Sequence, residues 1–431
     1  MVIDEGCLIM AENVETYEPP GGRWMIVIVG LIIQLCLGAI YAYGVLRTPL
    51  LNHFKGLGLD PSAMAMTWPF IVFLAMFAIT MPLAGPYIQK MGPKKVCMIG
   101  GALCGVGWLA ASFAKSPTML IPLYGIIGGL GVGIAYGAPI YTSAQWFPDK
   151  RGLAVGLTVL GFGFSSAIIT YATRFLMGSG WDIMTVMRAF GVAFIIITVI
   201  LSVFLKCPPS GCKPGGWTAP PSTSVTRKID FMRNEMSKTK TFYGLWLCYT
   251  IGALAGLTAI GIAGPVGLEV FANAGMTAEE ATKWTFLLIL PFAIFNGAGR
   301  PIFGSLTDKL TPRNTAILSY VLILAACLLM YSSYSSFYAY VICFAILWGC
   351  LGGWLAIAPT ATASFFGMKD NAKNYGLVFT AYGAGAIIGG IVSAQAKDLL
   401  GAFQPFFLIV AALAVLGIVV AFALLKPPEA K

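Results

Sequence analysis

Twelve apolar runs, each long enough to cross a bilayer and each fenced by charge, proline or glycine, leave this chain few ways to fold. They lie at 24–46, 67–89, 96–114, 119–143, 153–175, 185–206, 242–264, 282–304, 314–333, 338–363, 374–396 and 405–425. In hydrocarbon every backbone N–H and C=O must be satisfied internally, and a helix of about 20 residues does this while spanning the membrane. The expected fold class is an all-α membrane protein of twelve transmembrane helices. Only 10% of residues are charged and 58% are hydrophobic, against about 25% charged in a soluble domain. A molecule facing water on all sides is excluded.

The head, 1–23, carries Asp4, Glu5, Glu12, Glu15 and Glu18 and no cation before Arg23. It lacks the basic start of a secretory signal, so the first helix is expected to direct insertion. The net charge of +10 reads as topology, not as a nucleic-acid footprint. With the amino terminus inside, 19 of the 27 Lys and Arg fall in inner segments, among them Lys90, Lys94, Lys95, Lys309 and Arg313. Seven, including Arg47 and Lys397, fall in outer segments. This excess follows the positive-inside rule and predicts that both termini are cytoplasmic. Most of the ten cysteines lie in apolar helices, where Cys acts as a small hydrophobe, and no metal-ligand cluster is expected.

An internal repeat divides the chain. Gly85-Pro-Tyr-Ile-Gln89-Lys90-Met-Gly92-Pro93-Lys94-Lys95 matches Gly304-Ser-Leu-Thr-Asp308-Lys309-Leu-Thr311-Pro312-Arg313-Asn314. At almost the same offset, Ala138-Pro139 matches Ala358-Pro359, Gly156-Leu157 matches Gly376-Leu377, and Gly163 matches Gly383. A duplicated six-helix unit follows: an N-terminal bundle, 24–206, a cytoplasmic linker, 207–241, and a C-terminal bundle with a short tail, 242–431. The linker opens on Pro and Gly, and its Thr226–Thr241 segment has the spacing of a short amphipathic helix or of a basic connector.

One charge stands deep inside an apolar run, in Phe292-Ala-Ile-Phe-Asn296-Gly-Ala-Gly-Arg300-Pro301. An Arg at the centre of an isolated membrane helix costs roughly 2.5–3.5 kcal/mol, and such residues face a cavity or a partner. Asn296 lies one turn earlier on the same face. A guanidinium fork matches a carboxylate, so Arg300, helped by Asn296, is expected to bind a small organic anion. The competing expectation is an Arg that snorkels to the inner interface, because the apolar run ends a few residues later. Tyr41, Tyr136 and Tyr382 sit beside glycine-rich stretches and could line the same cavity. Tyr43, Tyr249 and Trp354 are further aromatics, a residue type that more often packs. The only histidine, His53, falls in an outer loop. No nucleophile–base pair or phosphate-binding loop is present, so neither enzymatic chemistry nor a nucleotide-driven pump is expected, and no cofactor is implied.

These motifs carry a resemblance. The Gly85–Lys95 segment resembles the loop between helices two and three of the major facilitator superfamily, and Gly304–Asn314 resembles its second copy. The superfamily is built from paired six-helix halves around a midplane site. The resemblance implies that Gly85, Lys90, Gly92, Lys94, Gly304, Asp308, Lys309 and Arg313 latch the cytoplasmic side. Gln89 stands where an Asp is usual, and Thr311 where a Gly is usual. Trp146-Phe147-Pro-Asp-Lys150-Arg151-Gly-Leu153-Ala154-Val-Gly156 resembles the monocarboxylate porter signature before helix five. Asn296-x-x-x-Arg300-Pro301, with Gly215-Gly216-Trp217, is similar to the bacterial oxalate/formate and lactate branch. Animal monocarboxylate transporters have an Asp at the place of Asn296 and a Lys at that of Val45, both tied to proton coupling, and neither is present. The oxalate-exchanging branch has a second cation in helix eleven, where Tyr382 fills the region. The resemblance therefore implies a secondary transporter of small monocarboxylates such as lactate or pyruvate, working as a monomer in a cell membrane. Proton symport is the first expectation, with Glu269 and Asp398 as weaker proton carriers. A carboxylate exchanger is the alternative, and an anion-binding sensor a remoter one.

Overall fold

The computed structural model describes residues 22–147, 151–209, 231–367 and 370–428; inside helices, the side chains of Gln89, Ala144, Arg151, Gly152, Leu153, Asp308, Asn371 and Ala372 lie outside that description. Among the described residues twelve helices are long and apolar enough to cross a membrane, and no strand occurs. They are α1 (Arg23–Gly56), α2 (Ala63–Ile88), α3 (Pro93–Ala111), α4 (Pro117–Ser143), α5 (Ala154–Gly178), α6 (Ile183–Ser202), α7 (Lys240–Asn273), α8 (Ala278–Thr307), α9 (Pro312–Ser332), α10 (Phe337–Phe366), α11 (Lys373–Leu400) and α12 (Gln404–Leu424).

Local chemistry fixes where the helices begin. Side chains of Ser62, Ser116, Asp182, Thr239 and Ser336 accept backbone N–H bonds in the first turns of α2, α4, α6, α7 and α10. Thr277 and Glu280 form a reciprocal capping box at the start of α8. Pro93, Pro117 and Pro312 sit in the first turn, where no N–H is needed. Two helices run furthest past the apolar stretches that announced them. α1 continues past position 46 to Gly56, and α7 past 264 to Asn273. Polar residues such as Asn52, His53 and Lys55 depress the hydropathy of the last turns of α1 without breaking its backbone ladder. Arg47, expected in an outer segment, is therefore buried inside α1.

The helices α1, α7 and α10 are the most enclosed and α12 the least. Ile28, Phe175, Leu328, Tyr338 and Val419 point outward and exposed, as lipid-facing side chains do. Arg23 at the start of α1 lies over Phe147, just past the end of α4. The Trp146 indole donates to the Lys206 carbonyl beyond α6, and the Thr241 hydroxyl to that of Lys426. These contacts gather both ends of the described chain on one face, the terminal face; the opposite is the far face. The described end of the linker makes only one helical turn, Arg233–Met236, not a helix reaching to Thr241, and residues 226–230 lie outside the description. It is held by Phe231, whose N–H donates to Phe366 O and whose carbonyl accepts from the Asn374 amide.

The first six and last six helices meet closely towards the far face. Gly44 of α1 lies against the Ile260 carbonyl, and a Cβ on Gly264 of α7 would stand 2.6 Å from Gly44 O, so only glycine fits. The Met64 N–H of α2 donates to Asp398 of α11 at 3.2 Å, and Arg174 of α5 lies over Phe286 of α8 at 4.3 Å. Towards the terminal face a Cβ on Gly85 or Gly156 would meet open space. The repeat is visible in the backbone. Gly92 has φ 82°, ψ 153° and Thr311 has φ 81°, ψ 153°, each followed by a proline that starts a helix.

Candidate functional site

The helix carrying Arg300 runs without a break from Ile289 to Leu310, so Arg300 lies ten residues, about 15 Å of helix rise, from its terminal-face end. That distance exceeds what a snorkelling side chain spans. Arg300 is only 3% exposed, and none of its three guanidinium nitrogens finds a hydrogen-bond partner among the described residues. Its charge acts on the phenols of Tyr41, Tyr136, Tyr375 and Tyr382. Of these only Tyr136 comes near enough for a polar contact, and it too falls outside hydrogen-bonding geometry. A buried guanidinium with donors to spare in a low-dielectric interior can hold an anion.

Three of the expected aromatics converge here. The Tyr41 and Tyr382 hydroxyls share a 2.8 Å hydrogen bond that joins α1 to α11. Tyr136 packs edge-on against Phe77 and Phe162 at 5.0 and 5.4 Å, and Phe379 stacks on Tyr382 at 5.0 Å. Tyr375, Phe77, Phe162 and Phe379 were not singled out from sequence. Tyr375 had a signal: it precedes Tyr382 by seven residues, two turns on one face.

Asn296 is fully buried, and its amide nitrogen donates to Trp348 O at 2.9 Å. Its Oδ1 has no partner among the described residues, and a Cβ on Gly163 of α5 would lie 2.9 Å from it. One of its two amide N–H groups is thus used, which leaves Asn296 a second donor and a free acceptor oxygen. Among the remaining aromatics, Tyr249 and Trp354 stack at 5.9 Å, with phenol and indole N–H unpartnered among the described residues, and Tyr43 donates to Met66 O.

The repeated loop residues sit apart, at the terminal face. Lys90 and Lys309 are exposed, Arg313 lies 5.5 Å over the Phe422 ring, and Gly304 faces Ala356. The Asp308 side chain lies outside the description. Glu269 and Asp398 lie at the far face, not beside Arg300. Glu269 pairs with Lys397 at 2.8 Å and accepts from Tyr334 at 3.0 Å, and Asp398 takes the Met64 N–H.

Twelve membrane-spanning helices enclose a buried polar centre, the architecture of a multi-pass membrane protein. The family model of the Major Facilitator Superfamily matches residues 24–274 and 245–431, and the chain belongs to that superfamily. The fold matches the solved nucleoside transporter NupG with a TM-score of 0.68, over 94% of this chain and all of that one, at 15% identity. The oxalate:formate antiporter of Oxalobacter formigenes is 27% identical over 398 residues, 91% of this chain and 88% of that protein. Monocarboxylate transporter 14 of Mus musculus is 28% identical over 40% of this chain and 34% of its own length. The apicoplast pyruvate carrier 1 of Toxoplasma gondii is 24% identical over 38% of this chain and 37% of its own. Within the superfamily the chain is thus similar along most of its length to an oxalate:formate antiporter, and over part of it to monocarboxylate and pyruvate carriers.

Proposed function

We propose that this chain carries small monocarboxylates of the lactate and pyruvate kind across a cell membrane, by alternating access around Arg300. The observation that carries this reading is the buried guanidinium without a partner among the described residues. Arg300 holds the carboxylate, the phenols of Tyr41, Tyr136 and Tyr382 close around it, and Asn296 meets the neighbouring group, accepting from a hydroxyl as in lactate or donating to a keto oxygen as in pyruvate. One central cation suits one carboxylate, which favours a monoanion over oxalate. Substrate binding neutralises Arg300 and lowers the cost of moving a charge through the switch. The two six-helix units, 24–206 and 242–431, rock about this centre, and the Gly85–Lys95 and Gly304–Asn314 loops latch the terminal face. The excess of Lys and Arg on that side supports a cytoplasmic terminal face, with the protein working as a monomer in a plasma or inner membrane. A proton accompanies the anion, held by the substrate–arginine pair or by water beside it. The second reading, carboxylate exchange, draws on the similarity to the oxalate:formate antiporter.

Uptake of labelled L-lactate into proteoliposomes decides between them. Symport gives accumulation under an inward proton gradient with buffer alone inside. Exchange gives uptake only after preloading with a carboxylate, whatever the gradient. Uptake in neither condition rejects lactate as the substrate.

A further inference from the structure

A second cation lies buried in α1. Arg47 is 7% exposed, and its Nη2 donates to the Ala63 carbonyl at 2.6 Å. That bond uses one of five N–H donors. Arg47 lines a cavity with Tyr43, Thr67, Thr258 and Ser393. Thr258 is 3% exposed, and its hydroxyl has no partner among the described residues. Thr67 and Ser393 donate to the Ala63 and Gly390 carbonyls, which leaves their oxygens free to accept. Among the described residues, the one carboxylate whose charge reaches Arg47 is Asp398, and its Oδ2 is held by the Met64 N–H.

Position gives this cluster its meaning. Its walls come from both sets of six helices, α1 and α2 on one side, α7 and α11 on the other. The space between them is ≈ 10 Å³, about one water molecule. A carboxylate fits only when the walls part, which is the movement that opens the far end. Arg47 lies six residues, about 9 Å of helix rise, beyond Tyr41 towards the far face. Tyr41, bonded to Tyr382, therefore lies on the terminal-face side of it, where the charge of Arg300 is felt.

The geometry points to a second anion site, at Arg47 and Thr258, that receives the substrate carboxylate when the far end opens and before it passes the tyrosine pair. This inference rests on the transport reading above. The test is site-directed labelling of purified protein in detergent, which exposes both faces. A Ser393→Cys variant is reacted with a negatively charged methanethiosulfonate, and modification of the introduced thiol is read by mass spectrometry with and without L-lactate. Lactate is expected to protect that thiol in an otherwise wild-type background and with Arg300→Gln, and to lose its effect with Arg47→Gln. Absence of labelling overturns the proposal, because the site must open. Protection abolished by Arg300→Gln, or kept with Arg47→Gln, overturns it also. Thr258→Val leaves the Arg47–Ala63 bond intact and carries the test should the Arg47 variant fail to fold. It is expected to raise the half-protecting lactate concentration about five-fold, the worth of one hydrogen bond, and an unchanged value counts against the site. Lactate protection without any lactate uptake would remove the transport reading and leave the site.

Discussion

Arg300 and Arg47 are both buried, at 3% and 7% exposure, yet they are held in opposite ways. Arg300 has no hydrogen-bond partner among the described residues, while Arg47 is tied to the Ala63 carbonyl. A bare guanidinium in a packed interior is destabilising, and its cost is offset when an anion arrives. A tethered one is already partly satisfied and gains less. Burial alone does not mark a binding residue; burial combined with unmet donors does. Arg300→Gln is expected to reduce lactate uptake at least about 100-fold with folded protein still in the membrane, the scale of losing a buried charge-assisted pair. Arg47→Gln should reduce it about ten-fold. Uptake rates at matched protein levels, with monodispersity on size exclusion, check both. Equal losses would erase the distinction between the two arginines.

The surroundings of Arg300 offer a smaller test of the same contrast. A Cβ on Gly163 would stand 2.9 Å from Asn296 Oδ1 and 3.2 Å from Gly297 Cα. Gly163→Ala must displace α8 or the amide, at a cost of about 1–3 kcal/mol, and is expected to lower uptake about ten-fold. The same substitution at Gly156, where a Cβ meets open space, should be silent. Similar effects at both positions would show that Asn296 needs no fixed placement. Tyr41→Phe removes the 2.8 Å bond that joins α1 to α11 near Arg300. Losing about 1 kcal/mol of closure should raise the half-saturating lactate concentration about five-fold, read from the concentration dependence of uptake. An unchanged value would make the tyrosine pair packing only.

The fold was legible because each helix had to announce itself by a run of apolar residues, and the repeat showed in the loop motifs and paired glycines. Helix ends were less legible. Hydropathy falls once Arg47, Asn52 and Lys55 enter the window, but backbone hydrogen bonds do not consult hydropathy, and α1 runs on to Gly56. That error placed Arg47 in a loop and hid it. Arg300 and Asn296 were visible as polar residues in an apolar helix. The direction of the Asn296 amide was not, because it depends on the Trp348 carbonyl 52 residues away. The aromatic walls were half visible. Tyr41 and Tyr382 could be named, but Phe77, Phe162 and Phe379 are indistinguishable in sequence from lipid-facing phenylalanines such as Phe175 and Phe422, which the structure leaves exposed.

The smallest expected effect comes from the paired loops and serves as a control on the arginines. Gly92 and Thr311 hold the same backbone conformation, φ 82° and 81° with ψ 153°, in a region that only glycine enters without strain. Thr311 is the only non-glycine residue at positive φ among those described. Such strain costs about 1–3 kcal/mol, so Thr311→Gly should stabilise the protein, raising Tm by a few degrees, while Gly92→Thr should lower it. The change touches neither arginine but alters the terminal-face loop, the latch of the proposed transport cycle. If the arginine variants acted by shifting the balance between open states, Thr311→Gly should also alter the half-saturating lactate concentration several-fold. If they act by binding the anion, Thr311→Gly should raise thermal stability and shift that concentration less than about two-fold. Thermal unfolding followed by tryptophan fluorescence, alongside the uptake curve, separates the two accounts, because strain relief moves the first measurement and anion affinity moves the second.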